Sequence, residues 1–315
     1  MVGYILSRIG QSLVLLLLVS ATVFVLVHAA PGGPALLNQP DLDPAVAKAM
    51  AAQLGLDDPI PLQYTRWARH LLAGDLGKSY QHGLPTAQLV RDRIPHSLLL
   101  SGTALALAVL LAVPLGTVSA VYRYSVLDYA ATVTAFVGVS IPVFWLAILL
   151  IIVFSVTLGW LPSAGMVTVG VPFTVADLLR HLLMPSLVLS TFPLAQLTRY
   201  VRASLVEVLA QDYVRTARAK GLAELDVLGR HALRNALIPM LTVLGVLIPR
   251  LLGGAVVTET IFAWPGLGRL AVDAAVTRDY PVIMGVTMLV SVLVIVSNFV
   301  TDLLYMAVDP RITLR

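Results

Sequence analysis

The chain has 315 residues, 58% of them hydrophobic and 12% charged, with a net charge of +4 and no cysteine. That charged share is about half of what a soluble domain carries, so the sequence cannot build a water-facing shell around a core of this size, and a soluble enzyme is excluded. The missing cysteines exclude a disulfide scaffold, thiol catalysis and thiolate metal sites.

The first apolar run, Ile9 to Ala30, follows Arg8 and is closed by Pro31-Gly32-Gly33-Pro34. It is longer than the apolar part of a secretory signal and has no small-x-small cleavage site ahead of a polar start, so an uncleaved membrane helix is expected. Residues 31–94 are the one long polar stretch, with six basic residues (Lys48, Arg66, Arg69, Lys78, Arg91, Arg93) and six acidic ones (Asp41, Asp43, Asp57, Asp58, Asp75, Asp92). Balanced charge with Pro and Gly punctuation predicts a small lobe with two short helices, Pro44 to Leu54 and Pro61 to Leu72, each carrying proline in its first turn. Five more apolar runs follow: Leu98 to Val121, Tyr129 to Leu158, Leu182 to Val201, Leu237 to Val257 and Val282 to Met306. At 1.5 Å per residue each is long enough to cross about 30 Å of hydrocarbon. The prolines inside them (Pro114, Pro142, Pro185, Pro193, Pro249) either shape packing or act as hinges, and Pro142 and Pro249 are carried forward as candidate pathway or gating positions.

The predicted fold class is therefore an all-α integral membrane protein with six transmembrane helices and a lobe between the first two. The predicted organisation is an N-terminal helix in 1–30, the lobe in 31–94 and a core in 95–315 that contains a loop at 202–236. Between the fourth and fifth runs stand seven basic residues (Arg199, Arg202, Arg215, Arg218, Lys220, Arg230, Arg234) against four acidic ones (Glu207, Asp212, Glu224, Asp226), whereas Arg180 is the only lysine or arginine in 159–181. The positive-inside rule then predicts a cytoplasmic 199–234 loop, cytoplasmic termini and an outward lobe, which suits Arg8, Arg311 and Arg315. There is no internal repeat, which weighs against several secondary-transporter folds.

The loop reads as a basic helix at 212–220, a break at Gly221, a second helix at about 223–234 and a proline, Pro239, entering the next span. Gly221 fits a helix C-terminus, with Arg218 and Lys220 where the helix dipole favours cations. Leu225, Leu228 and Leu233 give the second helix an apolar side. Such a pair of helices is built either to dock on another protein or to lie on anionic lipid.

The segment Asp212-Tyr-Val-Arg-Thr-Ala-Arg-Ala-Lys-Gly221, with His231-Ala-Leu-Arg-Asn-Ala-Leu-Ile-Pro239, resembles the coupling loop of ABC-importer permeases of the dipeptide, oligopeptide and nickel class. Relative to the general Glu-Ala-Ala…Gly signature, Ala217 and Gly221 match, but Arg215 stands at the Glu position and Thr216 at the first Ala, a variant the peptide-type branch carries. Gly74-Asp-Leu-Gly-Lys-Ser79 with Arg93-Ile-Pro-His-Ser-Leu98, Glu259-Thr-Ile-Phe-Ala-Trp-Pro-Gly-Leu-Gly268 and Asp302-Leu-Leu-Tyr-Met-Ala-Val-Asp-Pro-Arg-Ile312 resemble further stretches of that branch, in the same order. The resemblance implies a type I ABC-importer permease fold in the inner membrane of a prokaryote, with peptide cargo. It also implies a second homologous permease completing a heterodimer, two ATPase subunits and an extracytoplasmic substrate-binding protein. Asp212, Tyr213, Arg215, Ala217, Arg218, Lys220, Gly221, Glu224, Asp226, Arg230, His231 and Pro239 would form the loop that the ATPases grip. Nickel, glutathione or oligosaccharide cargo, and a secondary transporter, stay open beside this reading.

Gly77-Lys78-Ser79 has the tail of a phosphate-binding loop, but position 72 is Leu where that motif needs Gly. No cofactor is expected on this chain, and ATP and magnesium are expected on the partner subunits. Neither a catalytic constellation nor a metal-ligand spacing is found, so the chain is not expected to be an enzyme, and no nucleic-acid partner is expected. The ionisable residues in or beside the spans are His28, Arg250, Glu259 and Asp302, and such residues default to functional hypotheses. Arg250 and Glu259 are the pathway candidates; nine residues apart, they stand on opposite sides of a regular helix, so no direct pair is expected.

Overall fold

The computed structural model describes residues 2–38 and 41–308. In chain order the helices are α1 (Val2–Ala29), α2 (Pro44–Gln53), α3 (Ile60–Leu72), α4 (Thr86–Val121), α5 (Val126–Ser140), α6 (Val143–Leu150), α7 (Val175–Leu209), α8 (Asp212–Ala219), α9 (Glu224–Asp226), α10 (Arg234–Ala236), α11 (Ile238–Ile261), α12 (Leu267–Thr277) and α13 (Tyr280–Val308). Two π-helical stretches, Ile151–Thr157 after α6 and Val227–Leu233 between α9 and α10, continue their helices with wider turns. Among the described residues five helices are long and apolar enough to cross a membrane, and six when the bent pair α5 and α6 counts as one span.

All six predicted apolar runs are helical, and local chemistry explains several helix starts in the runs and in the polar stretch. Asp43 caps α2, its Oδ1 accepting from the Ala45 N–H at 2.7 Å, and Pro44 sits where no helical N–H is needed. Thr174 caps α7 through the Asp177 N–H at 3.1 Å. The third run differs from expectation. It is two helices meeting at 102°, with Pro142 as the N-cap of α6, because proline's missing N–H and ring break the preceding helix. The fourth run is also longer than predicted, since α7 extends to Leu209 and carries Pro185 and Pro193 inside it.

The helices form two compact units, which divide the chain differently from the predicted split at residues 30 and 94. The first takes the chain up to Ser97 together with Pro265–Val296; the second takes Leu98–Trp264 and the end of α13 from Ser297. The boundary lies inside α4, which begins at Thr86, because its first turns pack with α12 and the start of α13 through Val90, Leu267, Leu270, Ala274, Val282 and Val286.

Within the first unit the last turns of α1 dock on α3 by aromatic contact. Phe24 stacks on His28 with ring centroids 3.9 Å apart and meets Tyr64 edge-on at 5.3 Å. The buried Asp279, at the turn before α13, accepts hydrogen bonds from Ser79 Oγ, from the Tyr80 N–H at 3.1 Å and from the Gln81 N–H at 3.1 Å. The 77–81 turn thus offers the Ser79 hydroxyl and the backbone donors of Tyr80 and Gln81 to an anion, and the anion is the protein's own carboxylate. Burial first, then the neighbouring Asp279 charge, pushes the Tyr80 phenol up to about 12.

Within the second unit α4 presents a ridge of small residues at every fourth position: Ala104, Ala108, Ala112, Gly116 and Ala120. Four of them are buried alanines, packed on Leu189, Leu197, Val201 and Leu205 of α7 and on Leu247 and Leu251 of α11. With lipid outside there is no hydrophobic gain from helix association, so close backbone approach and dispersion hold the helices together. Gly116 marks the tightest crossing, where an added Cβ would stand 2.8 Å from Val201 Cβ and 2.9 Å from the Thr198 carbonyl oxygen. A Gly116→Val variant is expected to lose about 1–3 kcal/mol through overpacking. Gly102→Val on the same helix is the control, because a Cβ there meets nothing within 4 Å. Thermal unfolding of the two variants in lipid nanodiscs measures the difference, and equal melting would contradict the ridge.

Candidate functional site

The last two turns of α7 run into a helical hairpin formed by α8, a tight turn and the α9–π–α10 segment. Val214 and Ala217 on α8 and Val227 on the π stretch are buried against Val208 and Leu209 of α7. Leu228, Ala232 and Ala236 pack on Leu205 and Ala120. The hairpin is therefore an extension of α7 with its own core. Its charged residues point outward: Asp212, Arg215, Arg218, Lys220, Glu224 and Arg230 are all exposed.

The turn between the helices is set by one backbone torsion. Gly221 has φ +78°, its N–H donates to the Arg218 carbonyl at 2.9 Å, and the Lys220 N–H donates to Thr216 at 3.1 Å. This is the left-handed termination expected at that position. An ionic fork closes the turn: Arg218 Nε donates to Glu224 Oε2 at 3.1 Å and Arg218 Nη2 to Oε1 at 2.6 Å. That hydrogen bond, more than the charge alone, raises the Arg218 guanidinium above its usual range. Asp212 pairs with Arg215 at 3.4 Å and Asp226 with Arg230 at 3.3 Å. Asn235 Nδ2 donates to Tyr213 Oη at 3.2 Å, tying α10 back to α8.

The apolar side of the second helix differs from expectation. Leu228 and Leu233 turn partly inward, and the buried set is Val227, Ala232 and Ala236, because the π turns shift the register of the helix. Leu225 alone of the three leucines projects, 84% exposed, with Tyr213 and Leu222 as the other exposed large apolar side chains of the hairpin. Of the remaining predicted residues, Ala217 is buried, Asp226 and His231 are half-buried, and Pro239 is exposed in the first turn of α11. The hairpin is thus a short body packed on α7, its tip carrying an ion-paired fork beside an exposed apolar side chain.

The pathway candidates are not gathered in one place. Pro142 stands at the α5–α6 bend and Pro249 inside α11. Glu259 is completely buried near the end of α11, and its backbone carbonyl accepts the Trp264 N–H at 2.8 Å. The Arg250 side chain, and Arg311 and Arg315, lie outside the described residues. His28 is half-buried, its Nδ1 2.8 Å from the Phe24 carbonyl oxygen.

One cluster was missed from sequence. Asp128, at the start of α5 with its side chain 5% exposed, accepts Arg202 Nε and Nη2, both at 2.7 Å, together with Ser119 Oγ and the Tyr124 N–H at 2.9 Å. In the sequence Arg202 reads only as one of the loop's positive charges. The available signal was a lone acid opening an apolar run, a position that calls for a partner.

The family described as binding-protein-dependent transport system inner membrane component matches residues 112–314, and the N-terminal component of the same systems matches residues 1–101. The chain belongs to this family. The permease is 45% identical over 314 residues, 99% of both chains, to the oligopeptide transport system permease protein AppB of Bacillus subtilis. It is 46% identical over 316 residues, 99% of both chains, to a putative peptide permease protein of Brucella suis, and 41% identical over 313 residues, again 99% of both, to the glutathione transport system permease protein GsiC of Salmonella paratyphi A. In fold it is similar to a chain of the inward-facing MetNI methionine ABC transporter, with a TM-score of 0.58 at 19% identity, covering 70% of this chain and 97% of that one. The permease is thus a multi-pass inner-membrane protein with the type I ABC-importer permease fold.

Proposed function

We propose that this chain is one of two permease subunits of an ATP-driven importer for peptides. It forms half of the translocation pathway with a second, homologous permease, and two ATPase subunits grip the 212–236 hairpin. In this reading the hairpin and both termini face the cytoplasm, and the lobe of residues 31–94 faces outward to receive a substrate-binding protein. The chain itself carries no catalytic site and no cofactor, and ATP and magnesium belong to the ATPases. The observation that carries the reading is the hairpin: a turn fixed by Gly221 and by the Arg218–Glu224 fork, rigidly packed on α7, with Leu225 held out at its tip. A helix that only lay on lipid would have no need of so defined a turn. ATP binding drives the ATPases together, the hairpin follows, and access to the pathway alternates by population shift between two states.

Peptide cargo rests on the relatives, two of which are named for peptides and one for glutathione, itself a tripeptide. The test is purification of the tagged chain from its native host in mild detergent. Two ATPase chains and a second permease are expected in the complex, with ATPase activity stimulated by a peptide-loaded binding protein. A chain that purifies alone and transports in ATP-free vesicles driven by an ion gradient would make it a secondary transporter.

A further inference from the structure

The Ser119–Asp128–Arg202 cluster joins the end of α4 and the start of α5, nine residues apart, to the C-terminal part of α7, 74 residues further on. Its carboxylate is fully used, with both Arg202 donors on one side and Ser119 and the Tyr124 N–H on the other. Ser125 Oγ in turn accepts the Asp128 N–H at 3.3 Å, so the turn before α5 is pinned at both ends. Tyr124, in that turn, sits in the left-handed region at φ +64°, a conformation its N–H bond to Asp128 helps to hold. Arg202 lies one turn ahead of Leu205, which is fully buried against Ala232 and Ala236, and two turns ahead of Leu209, which packs on Val214 and Val227. The hairpin and this end of α7 are therefore one packed body, and α5, which packs on α7, is tied to that body at Arg202 by the bidentate pair.

A buried ion pair adds little net stability compared with apolar side chains of the same volume. What a bidentate guanidinium–carboxylate pair adds is direction, because its two parallel bonds fix the rotation of one helix relative to the other. Beyond Asp128, α5 leads straight to the bend at Pro142.

We propose that Asp128 and Arg202 are positioning residues of a clamp that makes α5 turn together with the hairpin, so that a push at the hairpin reaches the bent α5–α6 pair instead of being lost as slippage along α7. The proposal rests on the reading that ATPases act on the hairpin, and the clamp itself is testable without them.

The chain has no cysteine, so Val133→Cys on α5 and Ala219→Cys at the end of α8, both exposed, take spin labels without background. Pulsed-resonance distances are measured on the full chain in nanodiscs, alone and in complex with its ATPases, with and without a non-hydrolysable ATP analogue. With the pair intact, one narrow distance is expected in every state. In the Asp128→Asn/Arg202→Met background, which removes the clamp without orphaning a charge, a roughly twofold wider distribution is expected. Arg202→Lys, which keeps the charge and loses the fork, is expected to fall between. In proteoliposomes loaded with a radiolabelled alanine pentapeptide and the binding protein, ATP hydrolysed per peptide imported is expected to rise about tenfold in the double variant. Wild-type distances and a wild-type ATP-to-peptide ratio in a double variant that merely melts earlier would overturn the proposal. A chain that recruits no ATPase would instead sink the importer reading, while the distances measured on the chain alone still decide the clamp.

Discussion

An Asp128→Ala variant is expected to be destabilised by about 3 kcal/mol, the lower end of the cost of breaking a buried pair by removing one partner. The lower end applies because the Asp128 side chain is 5% exposed but that of Arg202 is 30% exposed, so water can solvate part of the orphaned guanidinium. Three losses combine: the two bonds from Arg202, the bond from Ser119 and the N–H bond that holds Tyr124 in its turn. Arg202→Met alone should cost at least as much, since it leaves the carboxylate, 5% exposed, with only Ser119 and the Tyr124 N–H as donors. The combined Asp128→Asn/Arg202→Met protein should be more stable than Asp128→Ala, because no charge is left without a partner. Denaturation in mixed micelles, followed through a double-mutant cycle, measures all of this. Additive costs of a few tenths of a kcal/mol would mean the pair is solvated and incidental.

A Gly221→Val variant is expected to reach the membrane at normal levels and to lose most of its transport. No side chain would be struck, since a Cβ at Gly221 meets nothing within 4 Å, so the cost is torsional. An L-residue in the left-handed region costs about 1–2 kcal/mol, and a β-branched one more. At this turn, that strain is relieved by unwinding the end of α8, which separates Arg218 from Glu224 and leaves Leu225 without its fixed place. A bias of 1–2 kcal/mol against the working conformation corresponds to about a 5- to 30-fold change in population. The order of activity should be Gly, Asn, Ala, Val, because Asn tolerates the left-handed region best among the replacements. Peptide uptake by cells, normalised to permease in the membrane, is the measurement. Wild-type uptake by the valine variant would end the coupling role of this turn.

The spans were legible because their signal is local. Twenty apolar residues in a row need no knowledge of neighbours to be read as a span, and all six runs are helical in the structure. The turn at Gly221 was legible for the same reason: a glycine between basic helix ends has one common use, and φ +78° is that use. The bend at Pro142 and the inward rotation of Leu228 and Leu233 were not. A proline in an apolar run is compatible with a kink, a break or a packed straight helix, and the choice is made by the helices beside it. A π stretch leaves no sequence pattern and changes which side chains face in. The small-residue ridge on α4 could have been seen as a period of four from Ala104 to Ala120, but what it packs against could not.

The sequence by itself determined the solvent of this protein, its span count, the hairpin with its left-handed turn, and the family to which it belongs. Each of these follows from composition or from residues within a few turns of one another. Tertiary structure alone decided that Asp128 meets Arg202 across 74 residues, that Asp279 fills the anion site of the 77–81 turn, and that the first turns of α4 pack with α12 and α13 rather than with the rest of their own helix. The physical reason is common to all three. A buried charge must find its partner wherever the fold brings donors together, and a helix face is defined by what covers it, so neither is encoded in any single stretch of chain.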